Sequence, residues 1–580
     1  MINFDLKLVP FSRYGSYIAF SHLEKSAEWE DGLYMRTVHG CGSHAGLFHP
    51  IFHVQLLREG EPVSFKETAS PTLLRLETDA GAYVEICISE PKLVRIRGVG
   101  AGIRLSMGTG KFDCAFPTEE GRWQVTSFTT GTKYMLTPIQ GQLAVNAPWS
   151  VDRSETVVVD FAPEAGGASA DAGMFECAIE EFTTVWEKQK YEKSFDACLE
   201  VVEKEFDAWL DKVPGVPREY LESGLLAAYL TWSCVVAPEG HLTRPAMLMS
   251  KNWMNSLWSW DNCFNAMALI YRYPELAWDQ FMILADNQDT SGAFPDSIND
   301  NVRQWTFCKP PIHGWALKWM MERTDFIDAE RLAEVYQPLA RWTQWWFEHR
   351  DDDHDAIAQY NHGNDSGWDN ATVFEVGPPV EAPDLTAYII IQMETLSEVA
   401  EILGKEHQAQ SWKGRAKILR DLLFTHSWRE DRFVAPRSGD HEVFECDCLL
   451  PFLPIMLGKR LRPHMLSKLI TGLKEEGRFL TEHGLATESP NSPLYEPDGY
   501  WRGPIWAPST MIIIDGLAAS GEMEFARELA RRFCDMIARS GMAENFDALT
   551  GEGLRDRAHT WTASVFLILA HEYLRGKAEE

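Results

Sequence analysis

Three short blocks hold residue types that do chemistry when brought together. The first, Gly499-Tyr500-Trp501-Arg502-Gly503-Pro504-Ile505-Trp506, packs three aromatics and a guanidinium into eight positions. Flat aromatic faces cover the apolar C–H face of a pyranose, and a guanidinium offers its hydroxyls a fixed fork of donors. The second is Gly363-Asn364-Asp365-Ser366-Gly367-Trp368-Asp369-Asn370, and the third Ala543-Glu544-Asn545-Phe546. Each adds carboxylates beside an aromatic. Cleavage of a glycosidic bond needs two carboxyls, one protonated and one ionised. Asp369 suits the acid, because Trp368 beside it excludes water and raises its pKa. Glu544 suits the base that activates water. Asp365 competes with Asp369 for its role, and Asp547 and Glu552 compete with Glu544. The bland alternatives are an Asx-rich surface turn and a loop glutamate.

A fourth block is Trp258-Ser259-Trp260-Asp261-Asn262. Either Asp261 accepts two hydrogen bonds from vicinal hydroxyls between stacking rings, or the tryptophans are core and Asp261 caps a helix. Asp384, in Pro383-Asp384-Leu385-Thr386, is likewise expected to cap the helix that follows it, with orienting site groups as a further role. The run Asp351-Asp352-Asp353-His354-Asp355 reads as a solvated loop, with calcium binding as the alternative, although it lacks the ordered ligand spacing of an EF-hand.

These blocks must be held by longer elements. The first ~165 residues carry short apolar runs such as Tyr17-Ile18-Ala19-Phe20 and Tyr83-Val84-Glu85-Ile86-Cys87-Ile88, punctuated by Gly, Pro, Asp and Asn. That pattern predicts an antiparallel β-sandwich over 1–175. The small-residue stretch 164–173 reads as a loop or boundary. A charged helix near 195–212 then serves as connector within a linker, 176–217. From 218 to 580 the apolar period becomes 3.6. Helices are expected near 218–236, 258–272, 274–288, 309–323, 327–350, 383–404, 407–428, 446–458, 463–475, 503–519, 522–540 and 558–575. Consecutive helices without strands fit antiparallel hairpins closed into an (α/α)6 toroid, so the chain is expected to be mainly α. Seventeen of the 22 tryptophans lie at or after Trp232, which makes the helical part the aromatic one. The long loops near 289–308, 351–382 and 476–502 carry the unusual blocks, as functional loops do.

Bulk properties narrow the partners. The net charge of −31 repels nucleic acid and anionic membrane. No apolar run is long enough to span a bilayer, and the N-terminus shows no secretory signal. Eleven scattered cysteines fit reduced thiols in a cytoplasm. Cys446 and Cys448 lack the second pair that a metal knot requires.

At the quoted blocks the chain resembles clan-G glycosidases, most closely glycoside hydrolase family 63. That group includes processing α-glucosidase I, bacterial α-glucosidases, and mannosylglycerate and glucosylglycerate hydrolases. The resemblance spans roughly residues 215–578, and its specific part is Tyr500-Trp501-Arg502-Gly503-Pro504-Ile505-Trp506. Trp260-Asp261, Gly367-Trp368-Asp369 and Glu544 through Trp561-Thr562 follow in the same order. Trehalases of the clan share the toroid, but their signature stretches are absent here. The resemblance implies an inverting exo-acting α-glycosidase with Asp369 as general acid and Glu544 as general base. It further implies a sugar subsite of Trp258, Trp260, Asp261, Gly367, Trp368, Tyr500, Trp501, Arg502, Gly503 and Trp506. Gln304, on the loop after Asp300, is a further hydroxyl ligand. The expected substrate is a short α-glucoside or α-mannoside, and no metal or organic cofactor is called for. A sugar epimerase on the same toroid would need paired histidines, whereas His313, His362, His483 and His559 are dispersed. A non-catalytic carbohydrate-binding protein would need no second carboxylate.

Overall fold

The computed structural model describes residues 2–40, 48–164 and 173–576. Most of the small-residue stretch expected as a boundary, 165–172, lies outside the described residues. The chain divides into two compact units.

The first unit comprises Met1–Leu210, Trp232–Ala237 and Ser250–Asn255. It holds two antiparallel eight-stranded sheets. Alternation builds them: Val157–Ala162 buries every second side chain, so one face of the strand is apolar. Phe20, Met35, Val54, Ile103 and Val159 from one sheet share a single core with Ile86, Ile96, Val125, Leu136 and Ile179 from the other. The last strand, Met174–Phe182, carries the sheet past residue 175. Helix α1, Phe195–Leu210, follows and buries Phe195, Cys198, Val202, Phe206 and Trp209 on one stripe. Strand takes 23% of the chain and helix 37%, so "mainly α" describes only its second part. The reason is the size of these two sheets.

The second unit comprises Asp211–Thr231, Pro238–Met249 and Ser256–Glu580. The helices after α1 are α2 (Leu221–Ser233), α3 (Asp261–Leu269), α4 (Pro274–Asp286), α5 (His313–Met321), α6 (Ala329–His349) and α7 (Pro383–Ile402). They continue as α8 (Glu406–His426), α9 (Pro463–Lys474), α10 (Ala507–Ser520), α11 (Met523–Ser540) and α12 (Thr560–Leu569). A tight 3₁₀ stretch, Leu450–Arg460, stands where an α-helix over 446–458 was expected. Pro451 and Pro454 lack the N–H groups that an α-helical ladder needs there.

These elements close on themselves. Helix α3 packs on α5, α5 on α7, α7 on the 3₁₀ stretch, that stretch on α10, α10 on α12, and α12 back on α3. Two ring members are enclosed on all sides: every residue of α3 and of α12 is buried, polar Asp261, Asn262, Asn265 and Thr560 included. Helices α4, α8, α9 and α11 back them from outside. Helix α11 shows the matching pattern, with Phe525, Leu529, Phe533 and Ile537 buried on one stripe and Arg527, Glu528 and Arg531 on the other side.

Two expected helices start late. Leu257–Trp258 is a strand paired with Ser297–Ile298, so α3 begins only at Asp261. Ile505–Trp506 pairs with Asn545–Phe546, so α10 begins at Ala507. In both cases the missing helical turn is one of the sequence blocks singled out above.

Neighbouring ring helices approach closely at Gly314 on α5. A Cβ there would lie 2.3 Å from Gln392 Cα of α7. The contact is polar as well as tight. Gly314 N donates to Gln392 Oε1 at 3.0 Å, and Gly314 O accepts from Thr395 Oγ1 at 3.0 Å. Because the obstacle is backbone, Gly314→Ala is expected to destabilise the protein by at least about 1–3 kcal/mol, measured by urea unfolding. Wild-type stability in that variant would show that the ring tolerates spreading.

Candidate active site

Two small sheets hand the sequence blocks to one another. In the first, Trp258 faces Ser297 and Ser297 faces Gln304. In the second, Trp506 faces Asn545 and Phe546 faces Gly553, so Glu544 lies one residue ahead of a strand bound to the aromatic block. The Glu544 backbone is tied on both sides. Its N–H donates to Asp556 O at 2.6 Å, and its carbonyl accepts from Trp561 Nε1 at 3.2 Å.

The Asp369 loop is pinned from within and from the aromatic block. Asp365 is fully engaged in the backbone: Oδ1 accepts from Cys308 N at 3.0 Å, and Oδ2 accepts from Asn361 N at 2.9 Å and His362 N at 3.2 Å. It organises the loop and has no lone pair directed to a substrate. Asp369 is differently placed, with its side chain 29% exposed and Oδ2 accepting only a 3.3 Å bond from Asn364. Gly367 has φ 72°, and a Cβ there would stand 2.4 Å from the Trp260 ring. Only glycine allows that turn and that approach together. Asn370 clips the loop to the aromatic block, donating to Gly499 O at 3.0 Å and accepting from Trp501 N at 3.0 Å.

Arg502 is drawn into the same clip. Its Nε donates to Asn370 O at 2.9 Å, and its Nη2 bonds Glu375. Two of its donors therefore hold loop to loop. Gly503 likewise serves the backbone, where a Cβ would meet Glu496 O at 2.4 Å.

The tryptophans form one wall. Trp501 stacks on Trp506 at 4.0 Å and 6°, Trp368 lies 4.6 Å from Trp501, and Trp260 lies 6.4 Å from Trp501 and 6.0 Å from Trp561. Trp260, Trp368, Trp501 and Trp506 are all buried, so they back one another. Tyr500 projects from this wall on a backbone of φ 64°, a region that costs a non-glycine residue about 1–3 kcal/mol. Trp506 Nε1 holds Tyr500 O at 2.9 Å, and the Arg555 guanidinium lies 4.9 Å over its ring.

Lys309 is the centre of the electrostatics. Its ammonium is buried, 3.3 Å from Asp296 Oδ1 and 4.0 Å from Asp369 Oδ1, and it donates to Asn364 O at 2.7 Å. Burial alone would lower its pKa, but Asp296, Asp369 and Asp261 together hold it above the usual lysine value. Burial raises Asp369, opposed by Lys309 and reinforced by Asp296. Burial also drives Asp261 well above the carboxylate range, and its Oδ2 has no hydrogen-bond partner among the described residues. Three carboxyls around one cation leave an excess of negative charge, which favours the protonated form of a carboxyl.

Glu544 is 3% exposed. Burial, with Asp556 adding to it, pushes its carboxyl up to about 8, while Arg555 and a hydrogen bond from Tyr500 oppose the rise. Burial holds the Tyr500 hydroxyl protonated, and Glu544, Asp369 and Asp261 each act on it. One tyrosine thus senses the two carboxyls singled out in the sequence and the third at Asp261.

The remaining expected residues fall as follows. Trp258 is buried on its strand, and Gln304 is half-buried with its Oε1 accepting from Trp305 N and Thr306 Oγ1. Asp547 closes an Asx turn onto Leu549 N and Thr550 N at 2.8 Å each, and Glu552 is exposed. Asp261 does not cap α3, and Ala382 rather than Asp384 holds the cap position of α7. Pro383 opens α7 without an N–H, and the Asp384 carboxyl accepts the Tyr360 hydroxyl at 3.0 Å instead. Burial pushes Asp384 up to about 7. Sequence reasoning missed Lys309, Asp296 and Arg555 as members of this group. The one signal for Lys309 was a lysine set between a cysteine and two prolines at the entry to a helix.

A closed ring of helices whose loops carry carboxyls to a wall of tryptophans is the build of a glycoside hydrolase. The chain belongs to the mannosylglycerate hydrolase MGH1-like glycoside hydrolase family, whose domain matches residues 254–562. The mannosylglycerate hydrolase of Thermus thermophilus is 30% identical over 394 residues, covering 53% of this chain and 93% of that protein. The glucosylglycerate hydrolase of Mycolicibacterium hassiacum is 23% identical, covering 54% of this chain and 91% of that protein. Among solved structures, a bacterial glucoamylase complexed with acarbose aligns over 98% of this chain and 93% of its own, with a TM-score of 0.60 at 10% identity. At that identity the likeness is one of fold.

The raised Glu544 carboxyl has a consequence for stability. An acid whose folded pKa lies above its unfolded value costs stability as pH rises from about 4.5, and the cost is complete above about 8. Glu544→Gln removes it. The melting temperature of this variant relative to wild type is therefore expected to climb between pH 5 and pH 9. A difference constant across that range would mean the carboxyl ionises as it does in water.

Proposed function

We propose that this enzyme is an inverting, exo-acting α-glycoside hydrolase on a short α-mannoside or α-glucoside with a small acidic aglycone, glycerate being the first to test. The observation that carries the reading is the juxtaposition at one tryptophan wall of Asp369, 4.0 Å from the buried Lys309 ammonium, and Glu544, next to the strand paired with the aromatic block. The names of the relatives support glycerate, and the sequential ring contacts support an (α/α)6 toroid.

In this reading Asp369 donates its proton to the glycosidic oxygen. Its partial exposure gives it access to substrate, and the excess carboxylate charge around Lys309 keeps a proton in the cluster. Glu544 takes the proton of a water that attacks the anomeric carbon from the opposite face. Inversion requires the two carboxyls roughly 6.5–9.5 Å apart. Asp261, Gln304, Trp258 and Tyr500 bind sugar hydroxyls and ring faces. Trp260, Gly367, Trp368, Trp501, Arg502, Gly503 and Trp506 shape and support that subsite. The wall positions the sugar, and positioning with proton transfer supplies the rate enhancement. The epimerase reading loses ground because burial holds His313 neutral with a pKa near 4 and His559 near 3, too low for a proton shuttle at neutral pH.

Incubation with α-mannosylglycerate, α-glucosylglycerate, α,α-trehalose and a simple α-glucoside tests the substrate. Proton NMR of the first-formed sugar tests the stereochemistry. Release of the β-anomer from an α-glycoside is expected, and release of the α-anomer would refute inversion. Asp369→Asn and Glu544→Gln are each expected to lower kcat by about 10²–10⁴-fold with an unchanged fold by circular dichroism. Full activity in either would remove that residue from the mechanism.

The pH profile follows from the sign of the Glu544 shift. The base works ionised, so kcat/KM is expected to rise with pH, about tenfold per unit, until it levels near pH 8. Tyr500→Phe deletes a hydrogen bond that favours the ionised form, which should move that limb to higher pH. A profile flat from pH 5 to 8 would exclude Glu544 as the base.

A further inference from the structure

A second cluster of ligating side chains lies outside the residues assigned above. It draws one residue from each of four segments: Asp355 from the loop after α6, Glu381 just ahead of α7, His426 at the end of α8, and His441 from the turn beyond it. One ligand atom of each lies within 4.8 Å of all the others. Glu381 Oε2 is 2.7 Å from His426 Nε2 and 3.7 Å from His441 Nε2. Asp355 Oδ2 is 3.4 Å from His426 Nδ1 and 3.8 Å from His441 Nε2. Ligands about 2.0–2.1 Å from a tetrahedral ion sit about 3.4 Å from one another. The separations of His441 Nε2 from Glu381 Oε2 and Asp355 Oδ2, and of Glu381 Oε2 from His426 Nε2, lie around that edge. One nitrogen of His426 completes a set within 4.8 Å.

The Glu381 carboxylate supplies independent evidence. Its side chain is 0% exposed, and neither oxygen has a hydrogen-bond partner among the described residues. His426 Nε2 is buried beside it, close but without hydrogen-bond alignment. A carboxylate in such a place is costly unless a cation answers it. The neighbourhood is set in place by other bonds. Ile357 N donates to Asp355 Oδ1 at 2.8 Å, and Gly439 N donates to Asp353 Oδ2 at 2.8 Å. Asp353 Oδ2 is also 3.3 Å from His441 Nε2, a further oxygen within reach.

We propose that Asp355, Glu381, His426 and His441 form a structural binding site for a divalent transition-metal ion of the zinc type. Two imidazole nitrogens and two carboxylate oxygens are the donor set of a borderline ion, whereas calcium and magnesium take oxygens alone. Four protein ligands close the coordination sphere, as in structural rather than catalytic sites. The ion ties the segment from 351 to 381, which carries Asp369, to the end of α8 and to the turn at His441. The competing arrangement is metal-free, with a protonated His426 bridging Asp355 and Glu381.

The test uses the full chain, purified without a histidine tag, stripped with a chelator and then offered zinc, cobalt or calcium. Mass spectrometry is expected to find one zinc per chain after washing, and cobalt loading should give the visible bands of a tetrahedral site. His441→Ala is the primary variant, because His441 is 37% exposed and its loss leaves the core intact. It should weaken zinc binding by more than about 100-fold, beyond what loss of an outer partner costs. Chelation should lower the melting temperature of wild type and leave that of His441→Ala unchanged. Wild type that retains no zinc, zinc held equally by His441→Ala and Glu381→Gln, or calcium taken in preference to zinc would each overturn the proposal.

Discussion

A single buried ammonium makes the carboxyl cluster tolerable. Lys309 is buried, with Asp261, Asp296 and Asp369 acting on it. Three carboxylates in such a place without it would repel one another and unfold the loops that carry them. With it, the cluster is still short of positive charge. That imbalance adds to burial in raising the Asp261 and Asp369 carboxyls. The loops around it follow: Asp365 spends itself on backbone N–H groups, Asn364 bonds Lys309, and Asn370 ties the result to the aromatic block.

Much of this was readable in the residues. The change from a two-residue to a 3.6-residue apolar period separates the antiparallel sheets from the ring, and the expected helices lie at their places except near 446–458, where a 3₁₀ stretch stands. The boundaries failed where two-residue strands intervene at Leu257–Trp258 and Ile505–Trp506. Strands that short leave no periodicity and depend on partners far away in sequence. The choice between Asp365 and Asp369 was open for a related reason. Both sit in one Asx-rich octet, and only the fold decides which meets backbone N–H groups. Arg502 looked like a sugar ligand because its neighbours are aromatic, whereas its Nε and Nη2 bind Asn370 and Glu375. Lys309 gave almost no warning, since its meaning lies in three aspartates far apart in the chain, one opening α3 and two on loops.

Glu544 and Tyr500 show a second theme, that the site is held away from local comfort. Tyr500 keeps a left-handed backbone and Glu544 keeps a carboxyl displaced to about 8. Arg555, which stacks on the tyrosine, is left-handed too, at φ 58°. The buried tryptophans fix these positions by sheer packing. Their role is thereby divided: Trp501 and Trp506 stack on each other, and what they present outward is Tyr500.

The contact of α12 with α3 bears on how the molecule is made. These helices are nearly three hundred residues apart in the chain, and the ring is sealed only when the second reaches the first. During synthesis the earlier hairpins emerge with their apolar inner faces uncovered, and nothing upstream can cover them. Such distant closure is slow and leaves sticky intermediates. Glu544 lies just before the closing helix, so its carboxyl is set in place by the same late event that completes the wall. A nascent chain therefore lacks the assembled tryptophan wall until α12 is threaded home.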